Sequence, residues 1–154
     1  MSNPPKRDRA AILAVAAILV AIGIVAAAAY VLLTAPPPPP PAPSVDLAPA
    51  FFGDPGDALV NLSAVSQEVD LGLFRAELRD VSGGNVIVFA ATLRAGVLWS
   101  SGAASVRLTD GPTVGKLSAG DGFVLENLTP LRTYTLALVY IPEGATVASR
   151  TLPM

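Results

Sequence analysis

An uncharged, predominantly apolar run of 24 residues, Ala10–Leu33, constrains this chain more than any other feature. A helix that crosses the hydrocarbon core of a bilayer needs about 20 such residues, so this run is long enough to span a membrane. Six consecutive prolines, Pro36–Pro41, follow closely and cannot continue a helix. The sequence therefore predicts a basic leader (residues 1–10), a hydrophobic helix (11–35), a polyproline linker (36–44) and a C-terminal domain (45–154).

The charges of the leader predict the orientation of that helix. Lys6, Arg7 and Arg9 outnumber Asp8, and positive charge beside a membrane helix stays on the cytoplasmic side. We therefore expect the membrane to be a partner and residues 45–154 to be extracellular. The alternative is a cleaved secretory signal ending among the small residues Ala26–Ala29, although the apolar core of such signals is usually about 7–15 residues long.

The junction between leader and helix reads Arg9-Ala10-Ala11-Ile12 and opens the long apolar run. This order resembles the class III signal of archaeal type IV pilin-like proteins. The resemblance implies cleavage between Ala10 and Ala11 by a prepilin peptidase. It also implies that the mature chain assembles into a filament through its hydrophobic helix.

The helix has one stripe of small residues, in which Ala14, Ala17 and Ala21 follow a spacing of three and four. Small side chains on one stripe let neighbouring helices approach closely. We predict packing there against other copies of this chain or other pilin-like subunits. The alternative is that alanine is simply abundant in this span.

The polyproline linker is expected to form a polyproline II rod. Its eight residues from Pro36 to Pro43 would span roughly 25 Å at about 3.1 Å each. Such a rod is semi-rigid and would act as a spacer between the helix and the domain.

Composition excludes several chemistries. The sequence contains no Cys and no His, which removes thiol nucleophiles, disulfides, Ser-His triads and the usual zinc sites. From residue 45 onward there are seven Arg and Lys against eleven Asp and Glu, so 7 − 11 = −4. An acidic domain with scattered cations does not suit nucleic acid. The carboxylates stand in turn-like contexts without a partner base, so we expect no enzyme, no catalytic residue and no cofactor.

The domain is predicted to be mainly β, an immunoglobulin-like sandwich of about seven strands. Turn-forming clusters such as Asp54-Pro55-Gly56 and Ser82-Gly83-Gly84-Asn85 separate short apolar stretches. Within these stretches the period is two, and four apolar positions alternate through Thr133–Ile141, as expected of a central strand. The predicted strands are Ala58–Val65, Leu73–Arg79, Val86–Leu93, Ser105–Thr109, Phe123–Asn127, Thr133–Ile141 and Thr146–Leu152.

The segment Asp110–Asp121 has the length of a calcium-binding loop, with Asp at its first and last positions. Positions three and five, where oxygen ligands belong, are Pro112 and Val114. We therefore predict an inter-strand turn and no metal, with Asp110 and Asp121 as the only weak metal candidates. Together with Val65–Asp80, this segment and the strand after it resemble the β-domains of archaeal pilin-like proteins.

Two sequons, at Asn61 and Asn127, are candidate glycosylation sites if the domain is extracellular. Trp99, the only tryptophan, is predicted to pack in the core or at a strand end; the alternative is an exposed contact residue.

These observations favour a structural subunit or minor component of an archaeal type IV pilus-like surface filament. The alternative is a monomeric, membrane-anchored β-sandwich, an adhesin or binding module on a polyproline stalk. A soluble domain secreted after signal cleavage is a third reading.

Overall fold

The computed structural model describes residues 6–154, and the side chains from Ile12 onward. The chain divides into two compact units, residues 1–38 and 39–154. The first contains a single helix, α1 (Lys6–Thr34). Every side chain from Ile12 to Thr34 is exposed. By length and composition this segment, with a mean hydropathy of 2.9, could be a membrane anchor or a signal sequence.

Helix α1 begins five residues before the predicted boundary at Ala11 and so includes half of the basic leader. Lys, Arg and Ala are good helix formers. At its other end Ala35 N still donates to Val31 O over 2.9 Å. The helix stops there because Pro36 disfavours helical geometry in the residue before it.

The second unit is built from short antiparallel strands. They are β1 (Val45–Leu47), β2 (Phe51–Phe52), β3 (Ala58–Val65), β4 (Val69–Asp70), β5 (Phe74–Asp80), β6 (Val86–Thr92), β7 (Leu98–Ser101), β8 (Ala104–Thr109), β9 (Lys116–Leu117), β10 (Gly122–Glu126), β11 (Thr133–Tyr140) and β12 (Ala145–Pro153). A 3-10 turn, Leu71–Leu73, connects β4 to β5.

These strands form two main sheets and one small one. The six-stranded sheet has the order β1-β3-β10-β8-β7, with β2 also paired to β3, and the four-stranded sheet has the order β12-β11-β5-β6. Strands β4 and β9 form the third. The predicted class is confirmed: a mainly β, sandwich-like domain follows a single N-terminal apolar helix. In a constant-type immunoglobulin domain the second strand lies in the same sheet as the first, between the first and the fifth. Here β5, the next long strand after β3, lies in the other sheet instead, between β11 and β6.

The core lies between the two main sheets. Phe74, Ala76 and Leu78 of β5 are all 0% exposed, which confirms the predicted alternation along that strand. Strand β11 lies between β12 and β5, as predicted for a central strand. Tyr140 packs against Phe74 with ring centroids 5.4 Å apart. The hydroxyl of Tyr134 accepts a hydrogen bond from Thr129 N over 3.1 Å, an arrangement similar to the tyrosine corner of β-sandwiches.

Side chains close both flanks of the sandwich. Strand β12 lies beside β1, and Arg150 donates to the carbonyl oxygen of Leu47. On the other flank β6 lies beside β7, where the rings of Phe89 and Trp99 are 5.7 Å apart. Trp99 is thus half-buried against the core, as predicted.

Candidate functional site

The surface of α1 is the first candidate site. Ala14, Ala17 and Ala21 are all exposed, and the helical geometry places them along one stripe. An open apolar groove lined by Ala21, Ile22, Val25, Ala26 and Ala29 continues from Ala21 toward the end of the helix. The predicted processing residues Arg9, Ala10 and Ala11 lie in the first turns of α1, and their side chains are outside the described residues.

The end of the polyproline tract is held against the β-domain by five hydrogen bonds, one of them from Ser66 N to Ser44 O over 3.0 Å. Tyr140 Oη donates to Pro40 O, and Gln67 Nε2 donates to Pro41 O over 2.8 Å. Ala42 N donates to Glu143 Oε1 over 3.2 Å, and Ser44 N donates to Ser66 Oγ over 2.9 Å. We call residues 39–44 the docked segment.

Ala42 sets the register of the docked segment. Between Pro36 and Pro43 it is the only residue with a backbone N–H, since every other position is proline. Glu143 Oε1 accepts a hydrogen bond from that N–H, and Pro43, the residue after Ala42, is buried. Burial, together with the nearby Glu143 carboxylate, raises the pKa of Tyr140, which further favours the protonated hydroxyl that donates to Pro40 O. Of the predicted linker, only Pro36–Pro38 lies outside the domain unit.

The loop Asp110–Asp121 is closed by its own two carboxylates. Asp121 is completely buried and accepts hydrogen bonds from Gly111 N (2.6 Å), Ser118 N (2.8 Å) and Ser118 Oγ (3.2 Å). Asp110 Oδ2 accepts from Gly115 N over 2.9 Å. Asp110 Oδ1 is buried without a hydrogen-bond partner among the described residues. One such oxygen is far fewer than the six to eight that calcium takes, so the geometry gives both aspartates the role of closing a turn.

A partly buried ion pair that the sequence analysis did not anticipate joins the β5–β6 turn to the start of β11. Arg132 contacts Asp80, whose Oδ1 also accepts from Gly83 N (2.7 Å) and Ser82 Oγ (3.1 Å). The hydrogen bond from Arg132 is the main cause that holds the pKa of Asp80 below its usual value, against the opposing effect of burial. The two residues are 52 positions apart, so no local pattern reveals the pair.

Both sequon asparagines are exposed, as glycosylation would require. Asn61 lies on the outer face of β3, where it covers Gly122: a Cβ on that glycine would be 2.6 Å from Asn61 Oδ1. Asn127 lies in the turn after β10 and donates its backbone N–H to Asp57 over 3.0 Å.

Within the described residues 6–154, the three non-glycine residues with positive φ lie in turns at one end of the domain, opposite the docked segment. They are Asn85 (φ 59°), Asn127 (φ 58°) and Leu131 (φ 62°). Asparagine tolerates this geometry, whereas leucine does so at a cost. Leu131 is also 95% exposed, so burial does not compensate for its backbone conformation.

No protein-family model matches the chain, and no curated protein matches it in sequence. Among the residues that the structure describes, no group of three or more acidic residues is arranged to hold a metal ion. The exposed features are an apolar helix, two sheet faces and the turns that connect their strands.

Proposed function

We propose that this chain is a non-enzymatic structural subunit, or minor component, of an archaeal type IV pilus-like surface filament. The observation that carries the proposal is the helix α1, on which all 23 side chains from Ile12 to Thr34 are exposed and apolar surface dominates. Such a surface is unfavourable in water and requires either lipid or other helices around it. In the proposed mechanism the signal is clipped after Ala10 and the helices of many copies pack together.

The stripe of Ala14, Ala17 and Ala21 supports helices as the neighbours. Association of helices in an apolar environment depends on close backbone approach, which small side chains allow. The docked segment is also consistent with a packed subunit. Because residues 39–44 are bonded to the domain, only three prolines separate that unit from the end of Ala35.

The second candidate is a monomeric, membrane-anchored β-sandwich that serves as an adhesin or binding module. It is favoured by the prolines Pro36–Pro41, which interrupt the connection between helix and domain. In both proposals the domain is extracellular and the leader cytoplasmic before processing, because the positive charges of Lys6, Arg7 and Arg9 favour that orientation.

Replacing Ala17 by Phe in the full-length chain tests the filament. A bulky side chain in the stripe should block helix packing, whereas a bilayer accepts Phe readily. The matched control is Ile18→Phe, one position along the helix and so about 100° around its axis. Electron microscopy of producing cells should show filaments for the wild type and for Ile18→Phe, and none for Ala17→Phe.

N-terminal sequencing of the same material tests processing. The mature chain should begin at Ala11 in cells that contain a prepilin peptidase, and replacing Ala10 by a bulky residue should block that cleavage. A wild type that begins at Met1 and forms no filament would favour the monomeric anchor. A mature chain that begins beyond Ala26 would favour the secreted domain.

A further inference from the structure

One transverse row of side chains crosses the outer face of the six-stranded sheet, and it is largely apolar. The strand registers align, in order, Phe51, Leu59, Val124, Arg107 and Leu98. Phe51 is 71% exposed and Leu98 58% exposed. A contiguous apolar row on a sheet face differs from scattered single residues, because it gives a partner a surface to cover.

At one end of this row lies a groove of about 150 Å³. Its apolar lining comes from Phe51, Leu59 and Val124, and its acidic lining from Asp57 and Glu126. Each carboxylate uses one oxygen in a described hydrogen bond: Asp57 Oδ1 accepts from Asn127 N, and Glu126 Oε2 from Ser105 Oγ. The combination of an aromatic ring, aliphatic walls and two carboxylates suits a long cationic side chain, which places its methylene stem on apolar surface.

The outer face of the four-stranded sheet has the complementary character. Glu77 Oε1 forms an ion pair with Arg75 Nη2 over 2.6 Å, and Glu77 Oε2 accepts a hydrogen bond from Arg79 Nη2 over 3.1 Å. The two guanidinium groups thus contact different oxygens of one carboxylate. The side chains of Arg75 and Arg79 are 46% and 36% exposed, so N–H donors of both remain open to solvent. The neighbouring strands pair four small residues and two larger apolar ones with these three, namely Thr92, Ala90 and Ile87 on β6 and Val139, Ala137 and Thr135 on β11.

We propose that the two faces bind each other between copies of this chain, with Arg75 and Arg79 of one domain at the Phe51 groove of the next. A net positive face meets a groove with two carboxylates, and complementary charge gives such contacts their specificity. The other exposed cations of residues 45–154 do not form such a pair: Arg132 is bound to Asp80, Arg94 and Lys116 lie near turns, and Arg107 is part of the apolar row itself.

The contact is heterologous, because the two faces differ and lie on opposite sides of one sandwich. Heterologous contacts repeat from copy to copy and produce open assemblies when they do not close into a ring. The inference rests on the proposed filament function and adds a contact between domains to the packing of helices.

Disulfide cross-linking of the full-length chain in membranes tests the contact, and the absence of cysteine leaves no background. Val124→Cys places a thiol in the groove, and Ala137→Cys places one beside Glu77. Mild oxidation should give a ladder of multimers when both are in one chain, dimers when the single variants are co-produced, and monomer for either variant alone. If either single variant alone gave as much dimer as the two co-produced single variants, the heterologous arrangement would be overturned.

A charge exchange provides the second measurement. In the double-cysteine background, Arg79→Glu should lower the ladder yield about tenfold, because like charges then face each other. Adding Glu126→Arg to the same chain should restore it. The control Arg94→Glu, on an exposed turn residue outside both faces, should leave the yield unchanged. Trp99 fluorescence reports whether each variant is folded. A folded Arg79→Glu chain with an undiminished ladder would refute the assignment.

The outcome for this contact is separable from the outcome for the filament. Filaments without the ladder would overturn the contact between domains and leave assembly through α1 intact. A ladder in cells that show no filaments would support the contact and remove the filament. If neither filaments nor the ladder appear, both the filament and the contact between domains are rejected.

Discussion

Gly56 is the position at which a single methyl group should disturb this domain most. It occupies the third position of the turn Asp54-Pro55-Gly56-Asp57, closed by Asp57 N donating to Asp54 O over 2.9 Å, and its φ is +97°. A Cβ added there would lie 2.6 Å from the backbone oxygen of Leu128. That backbone cannot move freely, because Leu128 N donates to Gly56 O over 2.8 Å.

The loss of unfolding free energy caused by Gly56→Ala can be estimated from two effects, the positive φ and the close contact with Leu128. Forcing alanine into a positive φ costs about 1–2 kcal/mol. Relief of the close contact requires the two turns to separate, which removes a hydrogen bond with a net value of about 0.5–1.5 kcal/mol. The sum is about 1.5–3.5 kcal/mol, a large fraction of the roughly 5–15 kcal/mol typical of a domain.

Two other glycines provide matched controls. Gly144 also has a positive φ (+63°), but no atom lies within 4 Å of an added Cβ. Gly144→Ala should therefore lower the free energy of unfolding only by the cost of the backbone conformation, about 1 kcal/mol. Gly53→Ala has neither feature and should be neutral or stabilising by up to about 1 kcal/mol. Urea unfolding of the full-length chain in detergent, followed by the fluorescence of Trp99, measures all three. A Gly56→Ala loss no greater than that of Gly144→Ala would refute the close approach of Leu128.

Three further predictions concern the turns and the loop. Leu131→Asn should raise the free energy of unfolding by about 0.5–1 kcal/mol, because asparagine tolerates φ 62° and the exposed leucine loses no packing; a loss of stability in urea would contradict this. Asp80 has a lowered pKa, so its stabilising effect is complete above the ordinary carboxyl pKa of about 4 and is lost as the pH falls below it. The stability gap between the wild type and Asp80→Asn should therefore shrink below about pH 4, and a gap that stays constant would exclude the pair as its origin. Thermal unfolding should be the same in millimolar calcium and in chelator, because loop N–H groups occupy both oxygens of Asp121; a higher midpoint in calcium would show that Asp110 Oδ1 helps to form a cation site.

The longer strands could be predicted from the sequence because each has a period of two bounded by turn residues. Ala58–Val65 was predicted with the bounds that the structure has, and the other six predicted strands agree to within two residues at each end. The shortest strands escaped prediction, including β1, β2, β4 and β9. Two or three residues are too few to display a period, and Phe51-Phe52 is a strand only because β3 lies beside it.

Contacts between distant positions could not be predicted in the same way. Nothing local distinguishes Asp80 from a solvated turn carboxylate, since its partner Arg132 lies 52 positions later, just before β11. The two sheet faces likewise become visible only when the registers are known. The docked segment had a signal in the sequence that a purely compositional interpretation overlooks: Ala42 interrupts the prolines at the position where an N–H is needed.

Because Ala42 interrupts the prolines, the length of the tract and its attachment to the domain can change independently under mutation. Insertions and deletions are common in homopolymeric runs, and each proline gained or lost before Pro39 changes the contour length by about 3.1 Å. None of these changes alters the hydrogen bonds of Pro40, Pro41 or Ala42, because the N–H of Ala42, and not the distance from the helix, fixes which residues bond to the domain. The reach of the domain can therefore evolve in steps of one residue while its fold and both of its sheet faces stay the same.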